Sequence, residues 1–481
     1  MKSQNLNEDL TEGSVRKHMS RLALPSILGS LFTTLYNVVD TVWAGKVGLD
    51  MSGVDGISDF LSRSGDVRAL TGMTVSFPIF LVMLALSIGL MSGTLALIGN
   101  VLGRKDRQKA DTYFAQALLY AIAVSVLLLL VLPFLPSLFR LMGADDQVVI
   151  GYAHEYISTI IAGSILFSVN FVFTAALIAR GDTKTQRNVS IINFFLNIVL
   201  DPLFLFGFGP IPAMGLRGIA LATLLSQSLG LVVMYVKLRR YHAFAGMSRA
   251  SFRPRWDILG TIAKQSMPPS MNMAITSFLL GMVNRYAYLY GGSAAVAAYG
   301  ISLRIEQIAL IPGMGVSTAL TGIASQNNGA YKIERIKSAY RLALLAGLLF
   351  LLFIMLPLGW LFPEAVVRLF TTDAETVGVA KVYLGISVFT FFAYMLITFS
   401  GSIFQACQVP YILMYLTVSR SLILPLVTFT LFPVVLKMGL NGLWSAILLN
   451  NWLAAIAAFL LCLWILRKRK REAVALRDSE S

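Results

Sequence analysis

Charged residues are scarce in this sequence, and those present are unevenly distributed. Asp, Glu, Lys and Arg make up 13% of the 481 residues, where soluble proteins carry about 25%. Hydrophobic residues reach 57% and fall in long runs, several of them longer than the roughly 20 residues that cross a bilayer. This composition excludes a set of soluble domains and predicts an all-α polytopic membrane protein.

Cysteine and histidine are also rare, which limits the chemistry available. Cys407 and Cys462 lie in or beside apolar runs, so we expect no disulfide framework and no thiolate metal site. The three His residues show no HExxH or paired spacing, and no GxSxG motif occurs. We therefore expect neither an enzyme nor a cofactor, apart from a coupling ion.

Acidic residues are fewer than basic ones, which leaves a net charge of +15. The basic residues cluster in alternate loops and in the tails, so we expect a membrane-lipid environment and no nucleic-acid partner. Polar sequence and the lack of a cleavage site make the first residues a tail rather than a signal peptide. The positive-inside rule places both termini in the cytoplasm of a multi-pass protein of the inner or plasma membrane.

Apolar runs bounded by charged or Gly/Pro-containing loops predict about twelve transmembrane helices. The predicted boundaries are 20–44, 71–100, 112–138, 151–178, 188–208, 214–237, 260–290, 295–324, 337–362, 377–404, 411–436 and 440–466. The external loop 49–70 is long and polar and is expected to form a short amphipathic surface helix, with no assigned chemistry.

The two halves of the chain repeat. LPSILGSLFTTLYNVVDTVWAGKVG aligns without gaps with PPSMNMAITSFLLGMVNRYAYLYGG, which pairs Pro25 with Pro269 and Asp40 with Asn284. Two related six-helix halves are typical of secondary transporters. We predict two pseudo-symmetric six-helix bundles joined by a linker. The predicted segments are a cytoplasmic tail 1–19, a bundle 20–238, a cytoplasmic linker 239–258, a bundle 259–466 and a basic cytoplasmic tail 467–481.

Intramembrane polar groups concentrate in the first bundle. Asp40 lies inside the first predicted span, where a carboxylate costs about 3 kcal/mol on insertion scales and is a functional candidate. Pro25 on the same span lacks a helical N–H, which predicts a hinge. Asn37 lies three residues before Asp40, a spacing that predicts a shared face.

A second polar stripe lies on the fifth predicted span. Asn193, Asn197 and Asp201 are spaced four residues apart, which places them on one helical face. Thr223 on the sixth span offers a hydroxyl group. Amide and carboxylate oxygens are hard ligands that suit Na⁺, and a carboxylate can bind a proton instead. Both ions remain open for a site formed by Asp40, Asn197, Asp201 and Thr223.

The chain resembles the multidrug and toxic compound extrusion (MATE) family, in the prokaryotic branch that includes the DNA-damage-inducible F proteins. The motifs that carry this resemblance are LALPSILGSLFTTLYNVVDTVWAGKVG, GNVLGRKDRQKA, ALIARGDTKTQ, NIVLDPLFLFGFG and the paired MGLxG segments. The resemblance implies cation coupling at Asp40, Asn197, Asp201 and Thr223, with the bend of the first helix at Pro25.

The resemblance also implies a function. We expect an antiporter that exports small amphipathic, often cationic compounds in exchange for H⁺ or Na⁺ by alternating access, and that acts as a monomer. The residues expected at the substrate cavity are Tyr36, Asn37, Asn193 and Asn284.

Two alternatives remain open. A flippase for lipid-linked saccharides of the same superfamily is disfavoured by the few Arg residues in spans and by the helix count.

In the second half, Glu306 is either a second coupling acid or one partner of an ion pair. Arg304 is a poor partner, because residues two apart on a helix do not face each other. Arg420 also lies in or near a span.

Overall fold

The computed structural model describes residues 9–49, 65–247 and 249–480. Within these ranges the structure is helical and contains no β-strand; a single bridge joins Phe208 and Ile211. The all-α fold class is thereby confirmed. Most of the loop 49–70 lies outside the described residues, so the surface helix expected there stays a prediction.

The long helices of the first half are α1 (Val15–Ala44), α2 (Val67–Gly103), α3 (Arg107–Leu129), α4 (Gln147–Ala162), α5 (Ser164–Ala179), α6 (Lys184–Phe206) and α7 (Gly215–Arg240). Those of the second half are α8 (Trp256–Gly329), α9 (Ile333–Phe350), α10 (Ala374–Ala406), α11 (Tyr411–Val418) and α12 (Gly439–Glu480). Shorter helices span Leu135–Leu141, Pro363–Arg368 and Leu424–Thr430, and 3₁₀ turns span Leu132–Phe134 and Arg249–Phe252. Segments of π-helix continue α9 at Leu351–Met355 and Pro357–Leu361, and α11 at Ser419–Ile423 and Leu431–Val435.

The described residues contain 10 helices that are long and apolar enough to cross a membrane. The pair α4 and α5, bent by 48°, adds one broken span. Helix α8 has 74 residues and is interrupted at Gly292, whose φ of 67° and ψ of −160° are not helical. At 1.5 Å per residue α8 is roughly 110 Å long, enough for two spans. Counted this way, the described residues contain the predicted twelve.

Several boundaries differ from those predicted. The break expected at 291–294 is only the kink at Gly292, because glycine adopts a positive φ without a steric penalty. The tail 467–481 continues α12 as helix to Glu480, and its Arg, Lys, Glu and Ala residues are strong helix formers. The predicted linker is shortened from both sides, since α7 ends at Arg240 and α8 begins at Trp256.

The two halves pack together at the end of the bundle that carries both termini, which we call the terminal end. There the side-chain amide of Asn100 donates to the carbonyl oxygen of Ala406 at 2.8 Å. Reciprocally, the amide of Gln326 donates to the carbonyl oxygen of Ala179 at 2.6 Å. Asn100 and Gln326 occupy corresponding positions of the sequence repeat, and each donates to a backbone carbonyl of the opposite half.

Glycines bring the backbones together beside these bonds. A Cβ atom on Gly103 would lie 1.9 Å from the carbonyl oxygen of Gln326, and one on Gly329 would lie 1.8 Å from that of Asn100. Only glycine permits such an approach. We call Asn100, Gly103, Gln326 and Gly329 the inter-half contact.

The segment before α1 also packs on the second half. Leu10 is fully buried; its N–H donates to the Gln326 side chain and its carbonyl oxygen accepts from Asn327. Arg335 donates to the carbonyl oxygens of Gly13 and Glu12. The N-terminal segment therefore adds to the closure of the terminal end.

Candidate functional site

Helices α1, α6 and α7 bring buried polar side chains of the first half together. The Asn197 amide donates to one carboxyl oxygen of Asp40 at 2.8 Å, and the Thr223 hydroxyl donates to the other at 3.4 Å. Ser226 donates to the amide oxygen of Asn197 at 2.6 Å. Because one end of the Asn197 amide donates and the other accepts, its orientation is determined by its partners.

Asp201 completes the cluster and is its least satisfied member. Its side chain is fully buried and lies within hydrogen-bonding reach of Asp40. Neither carboxyl oxygen of Asp201 accepts a hydrogen bond from any other group that the structure describes. A buried polar group without a partner costs about 1–3 kcal/mol, and more when charged. Asp201 therefore has acceptor oxygens that the described groups do not use.

Two acidic groups thus share a buried site, and no basic side chain among the described residues compensates their charge. Asp40 is 4% exposed, and no Lys or Arg forms an ion pair with either carboxyl group in the described part of the chain. Ionising both groups side by side is unfavourable, because like charges repel strongly in a medium of low polarity. The arrangement favours uptake of one proton or one small cation.

Tyrosines close the site. Tyr36, one turn before Asp40 on α1, is buried with its hydroxyl next to Thr223. Tyr156 on α4 is also buried, and its phenol lies near both Asp40 and Asp201. These phenols exclude bulk water from the carboxyl groups and leave polar oxygens near them.

The spacing of α6 explains how its residues reach the site. Its buried residues recur every four positions: Thr185, Val189, Asn193, Asn197, Asp201 and Leu205. The predicted polar stripe is therefore the inward face of α6. Asn193 lies on this face, but its side-chain oxygen has no partner among the described groups.

Pro25 lies far from the acidic groups. It precedes Asp40 by fifteen positions, roughly 22 Å along α1. Close to Pro25, the carbonyl oxygen of Leu22 accepts from Ser26 at 2.9 Å and from Thr183 at 3.0 Å. Helix α1 is uninterrupted through Pro25, so the hinge stays a prediction.

Some candidate residues do not join the site. Asn37 is exposed and does not share the buried face of Asp40, contrary to the expectation from its spacing, and Asn284 is exposed on α8. Their predicted place at the substrate cavity stays a prediction. Glu306 accepts a hydrogen bond from Tyr383 at 3.0 Å instead of pairing with a basic residue. Arg304 is exposed.

Sequence reasoning missed two members of the site. Ser226 follows Thr223 by three positions, a spacing that places both on one face of α7 and was available as a signal. Tyr156 had no signal, because only the packing of α4 against the site brings it close to the carboxyl groups.

Comparison with known proteins identifies the family. The family model MatE matches residues 25–203 and 268–430, more than half of the chain. The chain belongs to the MATE family of membrane transporters.

Relatives of this MATE protein extend over most of its length. The probable multidrug resistance protein NorM of Thermotoga maritima is 27% identical over 81% of this chain and 80% of its own. The FAD transporter of Shewanella oneidensis is 25% identical over 94% and 95%, respectively. A crystal structure of MATE in the bent conformation superimposes with a TM-score of 0.86 and 26% identity, covering 98% of this chain and all of the other. Assignment to the branch of the DNA-damage-inducible F proteins stays a prediction.

Proposed function

We propose that this MATE protein is an antiporter that exports amphipathic organic cations in exchange for H⁺ or Na⁺. One observation carries the proposal: Asp201 is fully buried beside Asp40 and accepts no hydrogen bond from any other described group. A buried acid without a partner calls for a bound proton or ion. The Thermotoga relative is named as a probable multidrug resistance protein, which supports the proposal that the exported compounds are organic.

The coupling follows from charge compensation. When the site is empty of cations, two neighbouring carboxyl groups attract either the ion or a cationic substrate, and they cannot hold both. Binding of H⁺ or Na⁺ to Asp40 and Asp201, with Asn197 and Thr223 as further ligands for Na⁺, removes the charge that holds the substrate. The substrate then leaves, and exchange results.

The conformational step involves α1. Helix α1 carries Asp40 near its end at Ala44 and Pro25 about a third of the way along from Val15. It also packs against α8 of the second half through Ile27 and Gly315. We propose that cation binding favours a bend at Pro25, where the missing N–H weakens the helix. The related structure in a bent conformation supports such a motion.

The closed terminal end supports a proposal for the direction of this state. With both termini in the cytoplasm, as the distribution of basic residues indicates, the inter-half contact lies on the cytoplasmic side, and we propose that this state faces outward. Asp40, Asn197, Asp201 and Thr223 all come from one chain, so we propose that a monomer of the cell membrane is the transporting unit.

The proposal is tested by efflux from proteoliposomes. Purified protein is reconstituted with ethidium inside, and a pH gradient and a Na⁺ gradient are imposed separately. We expect one gradient to drive efflux, and Asp40→Asn and Asp201→Asn each to abolish the coupled flux while still inserting. Asp257→Asn serves as a matched control, because this carboxylate is exposed on the first turn of α8.

One outcome would replace the substrate class and another would replace the antiport mechanism. Gradient-driven FAD transport would favour the substrate named for the Shewanella relative; we expect none, because a pyrophosphate needs cationic groups and no described Lys or Arg pairs with the acidic site. Translocation of a lipid-linked saccharide without any gradient would favour the flippase. Efflux by Asp40→Asn and Asp201→Asn at the wild-type rate would remove the coupling role from these residues.

A further inference from the structure

A second acidic group lies in the other half of the protein, apart from the site on α1, α6 and α7. Glu306 is half-buried on α8, roughly 21 Å along the helix from the kink at Gly292. Its carboxyl group accepts a hydrogen bond from the Tyr383 hydroxyl at 3.0 Å and is within reach of Ser387. Both partners come from α10. The carboxyl group is thereby held in place at the depth of the spanning segments.

A cavity of about 220 Å³ adjoins Glu306 between α8, α9 and α10. Apart from Glu306 and Ser387 its walls are apolar, and they include Ile308, Ala309, Met355, Leu358, Phe370 and Leu384. Ile308, Leu358 and Phe370 are each more than a third exposed. Helix α9 and its π-helical continuation form one span, Ile333–Leu361, and only 11% of its apolar stretch is buried by other parts of the protein. This span therefore lies at the periphery of the bundle. The cavity therefore opens towards the lipid.

Helix α9 is modified where it borders the cavity. Two π-helical segments, Leu351–Met355 and Pro357–Leu361, form this wall. Insertions of π-helix widen a helix locally and occur often at functional sites. Within the second segment Gly359 lies close to Val388 of α10, where a Cβ atom would come within 3.2 Å. The π-helical continuation of α9 therefore forms one wall of the cavity and leaves its interior open.

The chemistry of the cavity selects a class of ligand. None of the ion pairs among the described residues includes Glu306. Arg420 on the neighbouring π-helical segment donates to Asn451 and lies over the ring of Tyr394. An acidic group in an apolar wall at membrane depth is a functional-site candidate by default. Charge complementarity calls for a cation, and the apolar walls call for a hydrophobic body.

We propose that this cavity is a second binding site, for monovalent organic cations with an apolar body, such as quaternary ammonium compounds that reach it from the lipid. The Glu306 carboxylate neutralises the cationic head, while Ile308, Leu358 and Phe370 contact the apolar part. The site is separate from Asp40 and Asp201, and binding there does not depend on the proposed antiport.

The test measures binding without any gradient. Full-length protein in phosphatidylcholine nanodiscs is titrated with benzyltrimethylammonium, and affinity is followed by saturation-transfer NMR. Neopentylbenzene, its neutral carbon isostere, is titrated in parallel. All proteins carry Asp40→Asn and Asp201→Asn, so that the first site does not contribute. The variants compared are Glu306→Gln, Glu306→Asp, Ile308→Trp and the control Glu364→Gln, whose exposed carboxylate binds Arg368 and Lys381 outside the cavity.

We expect Glu306→Gln to weaken benzyltrimethylammonium binding at least tenfold, and Glu306→Asp and Glu364→Gln to retain it. Ile308→Trp narrows the mouth at an exposed position and should weaken binding of both compounds, which keeps the test informative if Glu306→Gln fails to fold. Unchanged cation binding in folded Glu306→Gln overturns the proposal. Equal affinity for both compounds in all variants also overturns it and indicates an apolar occupant such as a lipid tail. Gradient-driven efflux can fail in either case without affecting this result.

Discussion

We predict that adding a single methyl group to a glycine of the inter-half contact opens the terminal end. In Gly329→Ala the new Cβ atom would lie 1.8 Å from the carbonyl oxygen of Asn100, whereas real Cβ contacts stay beyond 3.0 Å. The Cβ atom is attached directly to the backbone of α8, and the carbonyl oxygen belongs to the backbone of α2, so no side chain can rotate to relieve the clash. The two helices must therefore separate by about 1.2 Å, the difference between these two distances. Overpacking of this kind costs about 1–3 kcal/mol. The ratio of closed to open protein should therefore fall about 5- to 150-fold.

Cross-linking between the halves measures this shift. The Arg104 guanidinium lies 5.9 Å from the centre of the Tyr331 ring, so cysteines at these two positions report closure. In a background without native cysteines, Arg104→Cys with Tyr331→Cys should cross-link readily. The reaction should slow when Gly329→Ala is added.

Gly260→Ala is the matched control, because it lies on the same helix and a Cβ atom there would meet nothing within 4 Å. Gly103→Ala should act like Gly329→Ala, since its Cβ atom would meet the carbonyl oxygen of Gln326 at 1.9 Å. Cross-linking of Gly329→Ala at the rate of Gly260→Ala would refute the reasoning. It would mean that the two backbones do not approach this closely.

Three further predictions follow from particular side chains. Pro25→Ala restores a helical N–H and should slow exchange between the two states, measured as a lower turnover in proteoliposomes; an unchanged turnover would argue against the hinge. Ser226→Ala leaves a buried amide oxygen without its donor, which costs about 1–3 kcal/mol; the melting temperature should fall, and a fall of less than one degree would contradict the hydrogen bond. Arg180→Ala leaves the buried carboxylate of Asp111 without its ion-pair partner, a loss of about 3–5 kcal/mol, whereas Arg68→Ala at an exposed pair should lower the melting temperature far less, because solvent screens that pair; equal effects on thermal unfolding would refute the difference in burial.

Much of the candidate site was predictable because it follows helical periodicity. Asn193, Asn197 and Asp201 share a face by their spacing alone, and the structure buries that face. At Asn37 the same spacing did not place the side chain on the buried face. Spacing says which residues lie near each other on a helix, but not which part of the circumference is covered by neighbouring helices, and α1 leaves Asn37 exposed while it buries Asp40.

Contacts between distant segments could not be predicted. Asn100 and Gln326 lie in corresponding motifs of the repeat, yet nothing in either motif states that each donates to the opposite half. The partner of Glu306 was left open for the same reason, since Tyr383 is brought to it by the packing of α8 against α10. Hydrogen bonds across such distances in sequence depend on how whole helices are placed.

By itself the sequence determined the all-α membrane fold, the number of spans and the polar residues of the first half, because bilayer thickness and the helical repeat act on short stretches of chain. Only the tertiary structure decided that Asp201 lies beside Asp40 and accepts no hydrogen bond from any other described group, that Ser226 and Tyr156 belong to the same site, and that the halves close at the terminal end. These features depend on which helix faces meet, and that is decided by the packing of the whole bundle.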